Sequence, residues 1–327
     1  MRSASEPLIE VKNLKKYYGD NPSYSLFKRN KEFVRAVDGV SFTISRGETF
    51  GLVGESGSGK STIGKSILRL TDITDGEVLY KGKNVHHLSK SELRNHRKNF
   101  QFVFQDPFSS LNPRIRIGDA IGEALLDHGL ALKKEIRQKV LDVLEICGLA
   151  SYHIDRFPHE FSGGQRQRIG IARAIIMEPD FIVADEPVSA LDVSIQAQII
   201  NLFSDLQEQR QITYLFISHD LSVVEHLCSK VGVLYLGSLM EMGSRDQVYD
   251  NPLHPYTQSL LSAIPIPDPT IKRERIILKG DIPNPANPPS GCKFHTRCPF
   301  AMEMCKTIVP AYKEAEPDHY VACHLVD

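Results

Sequence analysis

The stretch "ETFGLVGESGSGKST", residues 48–62, decides how the rest of the chain is read. A short apolar run with strand character, Phe50 to Val53, leads into glycines at 54, 57 and 59. Lys60, Ser61 and Thr62 follow, and a helical pattern begins there. The spacing G-x-x-x-x-G-K-[ST] between a strand and a helix is that of a phosphate-cradling loop. Glycines let the backbone wrap closely enough for its N–H groups to point at phosphate oxygens, and the helix N-terminus adds partial positive charge. In this reading Gly54, Glu55, Ser56, Gly57, Ser58, Gly59, Lys60, Ser61 and Thr62 line the phosphates. Lys60 reaches the β- and γ-phosphates, and the Ser61 hydroxyl is offered to Mg²⁺.

Outward from this loop, short β-rich runs alternate with longer helical ones from residue 47 to 264. A helix is expected from Lys60 to Leu70 and strands at "NFQFVF", "FIVAD", "ITYLFIS" and "KVGVLYL". Ile136, Val140, Val143, Leu144 and Cys147 share one helical stripe that Gly148 stops, and Asp192 opens a further helix. Such alternation predicts an α/β fold with a mostly parallel sheet covered by helices. The segment 107–165 reads as helical without strands, an insertion into that sheet. After Ile264, residues 265–290 hold seven prolines and read as an extended linker.

Bulk properties exclude several classes. With 39 basic and 40 acidic residues the net charge is −1, so nothing pulls the chain toward nucleic acid or anionic lipid. Its apolar runs fall far short of a membrane span, and the N-terminus lacks a signal-peptide pattern. A cytoplasmic location is the expectation.

Two further motifs bear on the phosphate loop. In "FIVADEP", residues 181–187, an apolar strand ends in two carboxylates. Asp185 suits a hold on Mg²⁺, and Glu186, facing the other way, can polarise a water for attack on the γ-phosphate. "EFSGGQRQR", residues 160–168, lies between the loop and that strand and offers a serine and backbone N–H groups at a helix start. With "FSGGQ" standing where "LSGGQ" is usual, the chain resembles the ATP-binding-cassette (ABC) ATPases over residues 8 to about 245. Phe161 for leucine is the one departure.

The resemblance implies a P-loop ABC-type nucleotide-binding domain, residues 1–250, with a parallel sheet core, a small antiparallel β subdomain and a helical subdomain at about 107–165. It implies ATP and Mg²⁺ as ligands. Ser162, Gly163, Gly164 and Gln165 would face the nucleotide of an opposed cassette. Gln105 would be the glutamine that senses Mg²⁺, joining Ser61 and Asp185 around the metal. Asp192 of "SALD" would cross the dimer interface, and His219 would contact the γ-phosphate and steady Glu186, the catalytic base. Tyr18 would stack on adenine, with Tyr17 nearly as good a candidate. The 17-residue stretch "GDNPSYSLFKRNKEFVR" before "AVDGVSF" is longer than most cassettes carry.

The tail narrows the resemblance. "NPLHPYTQSLLSAIPIPDP", residues 251–269, with "GCKFHTRCPF" and "ACHL" beyond, is similar to the C-terminal extension of oligopeptide and dipeptide importer ATPases, residues 251–327 here. Such an ATPase works with a second, homologous ATPase, commonly as a heterodimer, two integral membrane permeases and an extracytoplasmic solute-binding protein, at the cytoplasmic face of the membrane. Nickel or another small solute, an exporter, and a non-transport ATPase are the alternatives. No nucleic acid is implied.

Four of the six cysteines fall in the tail, 291–327, spaced Cys292-x5-Cys298-x6-Cys305-x17-Cys323. This is neither the paired C-x2-C of zinc ribbons nor a ferredoxin run. A four-thiolate centre, zinc, and reduced packing thiols all stay open on spacing alone. The family resemblance implies a [4Fe–4S] cluster on all four, with Zn²⁺ the other metal. Beyond its linker the tail is expected to lie too far from the phosphates to touch hydrolysis. Cys147 and Cys228 read as core residues.

Overall fold

A computed structural model describes residues 6–19, 33–106, 111–265 and 275–326. Most of the stretch 19–35, the start of the 107–165 segment and part of the proline-rich linker lie outside these residues. The strands are β1 Pro7–Tyr18, β2 Val34–Ser45, β3 Thr49–Val53, β4 Asp75–Tyr80, β5 Lys83–Asn84, β6 Phe100–Val103, β7 Phe181–Asp185, β8 Thr213–Ser218, β9 Lys230–Tyr235, β10 Ser238–Ser244, β11 Lys313–Glu316 and β12 His319–Val321. The α-helices are α1 Lys60–Ile67, α2 Lys90–His96, α3 Ile117–Asp127, α4 Lys133–Ile146, α5 Gly163–Ile175, α6 Val193–Arg210, α7 Leu221–Leu227, α8 Arg245–Asp250 and α9 Pro255–Ser262.

The chain forms two compact units, one of Met1–Glu6, Ser45–Thr49 and His87–Ile217, the other of Pro7–Ile44, Phe50–His86 and Ser218–Asp327. In the first, β8, β7 and β6 run parallel, with Phe181 opposite both Thr213 and Phe100. Every residue of β7 and β8 is buried, as the unbroken apolar runs require of a sheet covered on both faces. Between β6 and β7 the described residues hold helices and no strand. There α4 ends at Ile146 with Cys147 as its cap, and Gly148 follows at φ 68°, a left-handed value that glycine adopts at little cost.

The second unit holds an antiparallel sheet in the order β2-β1-β4-β5, the small subdomain that the resemblance implies. It also holds β3 and β9 as a parallel pair, with Phe50 opposite Lys230. Beyond β9 the pairing turns antiparallel through β10, β12 and β11. The sheet is therefore mixed where a mostly parallel one is expected. The reason is local: β9 and β10 form a hairpin at Leu236–Gly237, both at positive φ, and the tail adds its two short strands beyond β10. Outermost is β11, "KEAE", whose charges blunt an exposed edge.

Helix α1 stops at Ile67, three residues short of the expected end. Arg69 takes φ 49°, and the Leu70 N–H turns back to the Lys65 carbonyl at 2.8 Å, which closes the helix. The tail is no free appendage. Phe294 is fully buried and packs against Tyr235, Tyr256 and His254, with ring centroids 5.3, 5.2 and 5.6 Å away.

Candidate functional site

The phosphate loop belongs to the second unit and is wedged by backbone. A side chain at Gly54 would put Cβ 2.2 Å from the Leu234 carbonyl oxygen, and one at Gly59 would lie 2.1 Å from that of Ala36. Both glycines have positive φ, 149° and 107°. Gly57, also left-handed, borders open space within 4 Å. These positions form a cradle that any Cβ at 54 or 59 would break, which suits the close approach of phosphates. Lys60, buried at the start of α1, donates to the carbonyls of Gly54 at 2.7 Å and Glu55 at 3.1 Å. Ser58 is buried, Ser56 is exposed, and Ser61 and Thr62 lie half-buried in the first turn. His219, exposed, follows the end of β8 in this unit.

In the same unit, the two tyrosines are held differently. The Tyr17 hydroxyl donates to Asp38 at 2.5 Å, and burial together with that carboxylate pushes its pKa up to about 12. Tyr18 leaves its ring exposed, with the Lys16 ammonium 4.8 Å from its centroid. Tyr17 is thus held by its hydroxyl, while the Tyr18 side chain is exposed.

In the first unit, Asp185 ends β7 with its side chain buried. Glu186 next to it sits at φ 46°, a left-handed value costly for a residue with a Cβ. Its N–H is tied to the Ile217 carbonyl at 2.9 Å. The Gln105 amide donates to the Glu186 carboxylate at 2.9 Å and to the Ser189 hydroxyl at 3.3 Å. Glutamine and glutamate, 81 residues apart in sequence, therefore meet.

Ser162 caps α5 through a reciprocal pair: its hydroxyl accepts from the Gln165 N–H at 3.4 Å, and its own N–H donates to the Gln165 side chain at 3.1 Å. Gly164 lets α5 close on α6, since a Cβ there would meet the Ile195 side chain at 2.4 Å. Ser162 and Gly163 stay exposed at the helix start, and Phe161 is buried edge-on to His153. Asp192, exposed, opens α6, and the Gln196 amide holds the loop before it by the carbonyls of Val188 and Leu191, both at 3.0 Å.

The tail reaches the phosphate loop, contrary to the expectation that it lies too far away. Arg297 forms two hydrogen bonds to the Glu55 carboxylate, at 2.6 and 3.0 Å. Sequence reasoning missed Arg297, Lys293, Tyr256 and Asp38. No spacing rule links Arg297 to a partner 242 residues away, and arginine beside a cysteine carries no signal of its own.

Burial pushes the Cys292 thiol up to about 11, with Cys305, Cys323 and Cys298 as its charged-form neighbours, so the four tail cysteines share one region. The N–H of Cys292 also donates to the Cys305 carbonyl at 2.8 Å. Among the described residues no group of three or more His, Cys, Asp or Glu side chains is disposed to hold a single metal ion. Cys147 and Cys228 are buried, and desolvation raises both thiols.

The ABC transporter family profile matches residues 37–189, and that of the oligopeptide/dipeptide transporter C-terminal region matches residues 240–305. The oligopeptide transport ATP-binding protein AppF of Bacillus subtilis (strain 168) is 55% identical over 323 residues, 98% of either chain. Among solved structures, the dimeric post-hydrolysis state of an ATP-binding cassette bound to ADP and Pi superposes with a TM-score of 0.64 at 30% identity, over 72% of this chain and 98% of that one. CbiO1 of Clostridium perfringens, part of an ABC transporter complex, gives 0.64 at 26% identity, over 76% of this chain and 92% of that one. Among the described residues no helix is long and apolar enough to cross a membrane. The chain belongs to the ABC transporter family of ATPases, in the branch that carries the oligopeptide/dipeptide transporter C-terminal region.

Proposed function

We propose that the chain is the ATP-hydrolysing subunit of a peptide importer, peripheral to the cytoplasmic face of the membrane and driving separate permease subunits. The observation that carries this reading is full-length kinship with an oligopeptide transport ATP-binding protein, cassette and C-terminal region together. A second, homologous ATPase and an extracytoplasmic solute-binding protein complete the assembly in this reading.

Each motif residue has a role here. The glycines of the loop and Lys60 bind the phosphates, and Tyr18 offers its exposed ring to adenine. Ser61, Gln105 and Asp185 present the hard oxygen donors that suit Mg²⁺. The chemistry Mg²⁺ supplies is neutralisation of charge on the transferred phosphoryl group. Glu186 takes a proton from the attacking water, oriented by the Gln105 amide that already holds its carboxylate. His219 steadies the γ-phosphate. Ser162 with the N-terminus of α5, and Asp192, face an opposed cassette.

The tail cysteines are proposed as ligands of a [4Fe–4S] cluster. Supporting this is the shared region of the four thiols. Held by Cys292, Cys298, Cys305 and Cys323, a cluster would cross-link four points of the tail.

The test uses Glu186→Gln. Nucleotide binding should persist while phosphate release falls on the order of 10²–10⁴-fold, the usual worth of a general base. Cells carrying that variant as their sole copy should fail to take up a labelled tripeptide. Hydrolysis at the wild-type rate would remove Glu186 from its role, and normal peptide uptake would remove the importer reading.

A further inference from the structure

Glu55 is the second residue of the phosphate loop, and the C-terminal region holds it at both ends. Its N–H donates to the Tyr256 hydroxyl on α9 at 3.0 Å, and its carboxylate takes the two-pronged grip of Arg297. The Arg297 side chain is 8% exposed and that of Glu55 26%, so this is a largely desolvated pair and not a surface bridge. The guanidinium carbon lies 5.9 Å from the Tyr235 ring centroid, and Tyr235 packs edge-on to Tyr256 and Phe294. Planar and forked, the guanidinium is held in one orientation by the Glu55 carboxylate and the Tyr235 side chain.

A second cation of the same turn acts on the loop from behind. Lys293 donates to Asp38 at 2.9 Å, to the Leu236 carbonyl at 3.1 Å and to the Ser238 hydroxyl at 2.7 Å. The hairpin turn it fastens passes the hold on, because the Gly237 N–H donates to the Ser58 carbonyl within the phosphate loop at 2.9 Å. The Asp38 N–H in turn donates to Gly237 at 2.8 Å, and the Asp38 carboxylate is the one that holds Tyr17. One seven-residue turn of the tail, 292–298, thus reaches the phosphate loop by two independent routes.

A glutamate beside a phosphate cradle is electrostatically adverse, since its charge repels the triphosphate. We infer that Arg297 is a positioning residue for ATP: it draws the Glu55 carboxylate aside, neutralises it, and so keeps the phosphate loop open to a polyanion. The inference rests on the reading of residues 54–62 as the ATP-binding loop. Without Arg297, Glu55 would be left unpaired in a partly buried place next to the incoming phosphates. Loss of one partner of such a pair acts mainly through the stranded charge of the other. Removing that charge as well should therefore restore binding, which no purely structural role for Arg297 predicts.

The experiment titrates the full-length chain with a fluorescent ATP analogue and Mg²⁺, with the melting temperature measured alongside. Arg297→Met should raise Kd about tenfold, and Glu55→Gln, measured beside it, sets the reference for a loop without that carboxylate. The Arg297→Met/Glu55→Gln double variant should bind within about threefold of Glu55→Gln and more tightly than Arg297→Met. Should Arg297→Met not fold, Arg297→Lys carries the test: a point charge in place of the fork should raise Kd about threefold. Wild-type affinity in Arg297→Met, or in Arg297→Lys where that is the variant used, overturns the inference. So does a double variant as weak as Arg297→Met. Failure of the wild-type chain to bind the analogue would instead sink the ATP-site reading itself, so the two failures are told apart.

Discussion

His319, on the last strand of the tail, donates from Nε2 to the Glu241 carboxylate on β10 at 2.8 Å, and both side chains are wholly buried. Glu241 also accepts from the N–H groups of Leu253 at 2.8 Å and His254 at 2.9 Å. One carboxylate therefore ties together β10, the segment entering α9 and the tail strand β12, whose Val321 lies opposite Glu241 in the ladder.

That pair makes stability depend on pH. Burial acts to lower the His319 pKa, but hydrogen bonds and charge from Glu241 and Glu316 outweigh it and leave the value raised. A raised histidine contributes stability that is whole below its unfolded value of about 6.5 and lost as pH climbs through the folded value. His254 works the other way: burial lowers its pKa to about 4, so it costs stability as pH falls from about 6.5 toward 4. Urea midpoints should thus fall on both sides of neutrality. In His319→Gln the alkaline decline should disappear, while overall stability drops by about 3–5 kcal/mol, the usual result of leaving a buried charge unpaired. An unchanged alkaline limb in that variant would remove His319 from the effect.

Gly59→Ala and Gly57→Ala should behave very differently, although both glycines are left-handed. At 59 the new Cβ would sit 2.1 Å from the Ala36 carbonyl oxygen, whereas at 57 nothing lies within 4 Å. Gly57→Ala should cost about 1–2 kcal/mol, from backbone conformation alone. Gly59→Ala must displace the loop or β2, and should abolish nucleotide binding. Melting curves and nucleotide titration of the two variants provide the check, and equal tolerance would show that the loop is not wedged as described.

Ser162→Ala removes the hydroxyl that caps α5 and should cost about 1 kcal/mol of stability. Ser162→Thr keeps a cap and should hold stability near wild type. If Ser162 also meets the nucleotide of an opposed cassette, Ser162→Ala will lose hydrolysis far beyond what its small change in melting temperature explains. Comparing phosphate release with thermal stability in the two variants separates capping from contact.

The cysteine tail can be read by metal content and absorption on protein purified without oxygen. About four iron and four sulfide per chain, with visible absorption that bleaches on reduction, is the expected result. Cys298→Ala should then lose iron and loosen the tail. Stoichiometric zinc would keep a structural role without the redox chemistry, and a metal-free chain would leave the thiols as packing residues.

Local order in the chain determined the elements that carry chemistry. "GESGSGKST" specifies its own loop, because glycine spacing, strand and helix are all set within a dozen residues. Buried strands such as β7 and β8, the stripe on α4 and the cap at Ser162 are likewise short-range consequences of apolar period and capping chemistry. The end of α1 was less legible, since Arg69 takes a left-handed turn that glycine usually signals and nothing in "LRL" announces. Only the tertiary structure decided where the tail goes. Its strands are short, its prolines suggest a detached linker, and its anchors pair residues far apart: Arg297 with Glu55, Lys293 with Asp38 and His319 with Glu241. Charges of opposite sign occur throughout the chain, and none is marked for a particular partner. Burial makes those pairs specific: once Phe294 and Val321 enter the core, a charge carried in beside them must find its counter-charge or not be buried at all.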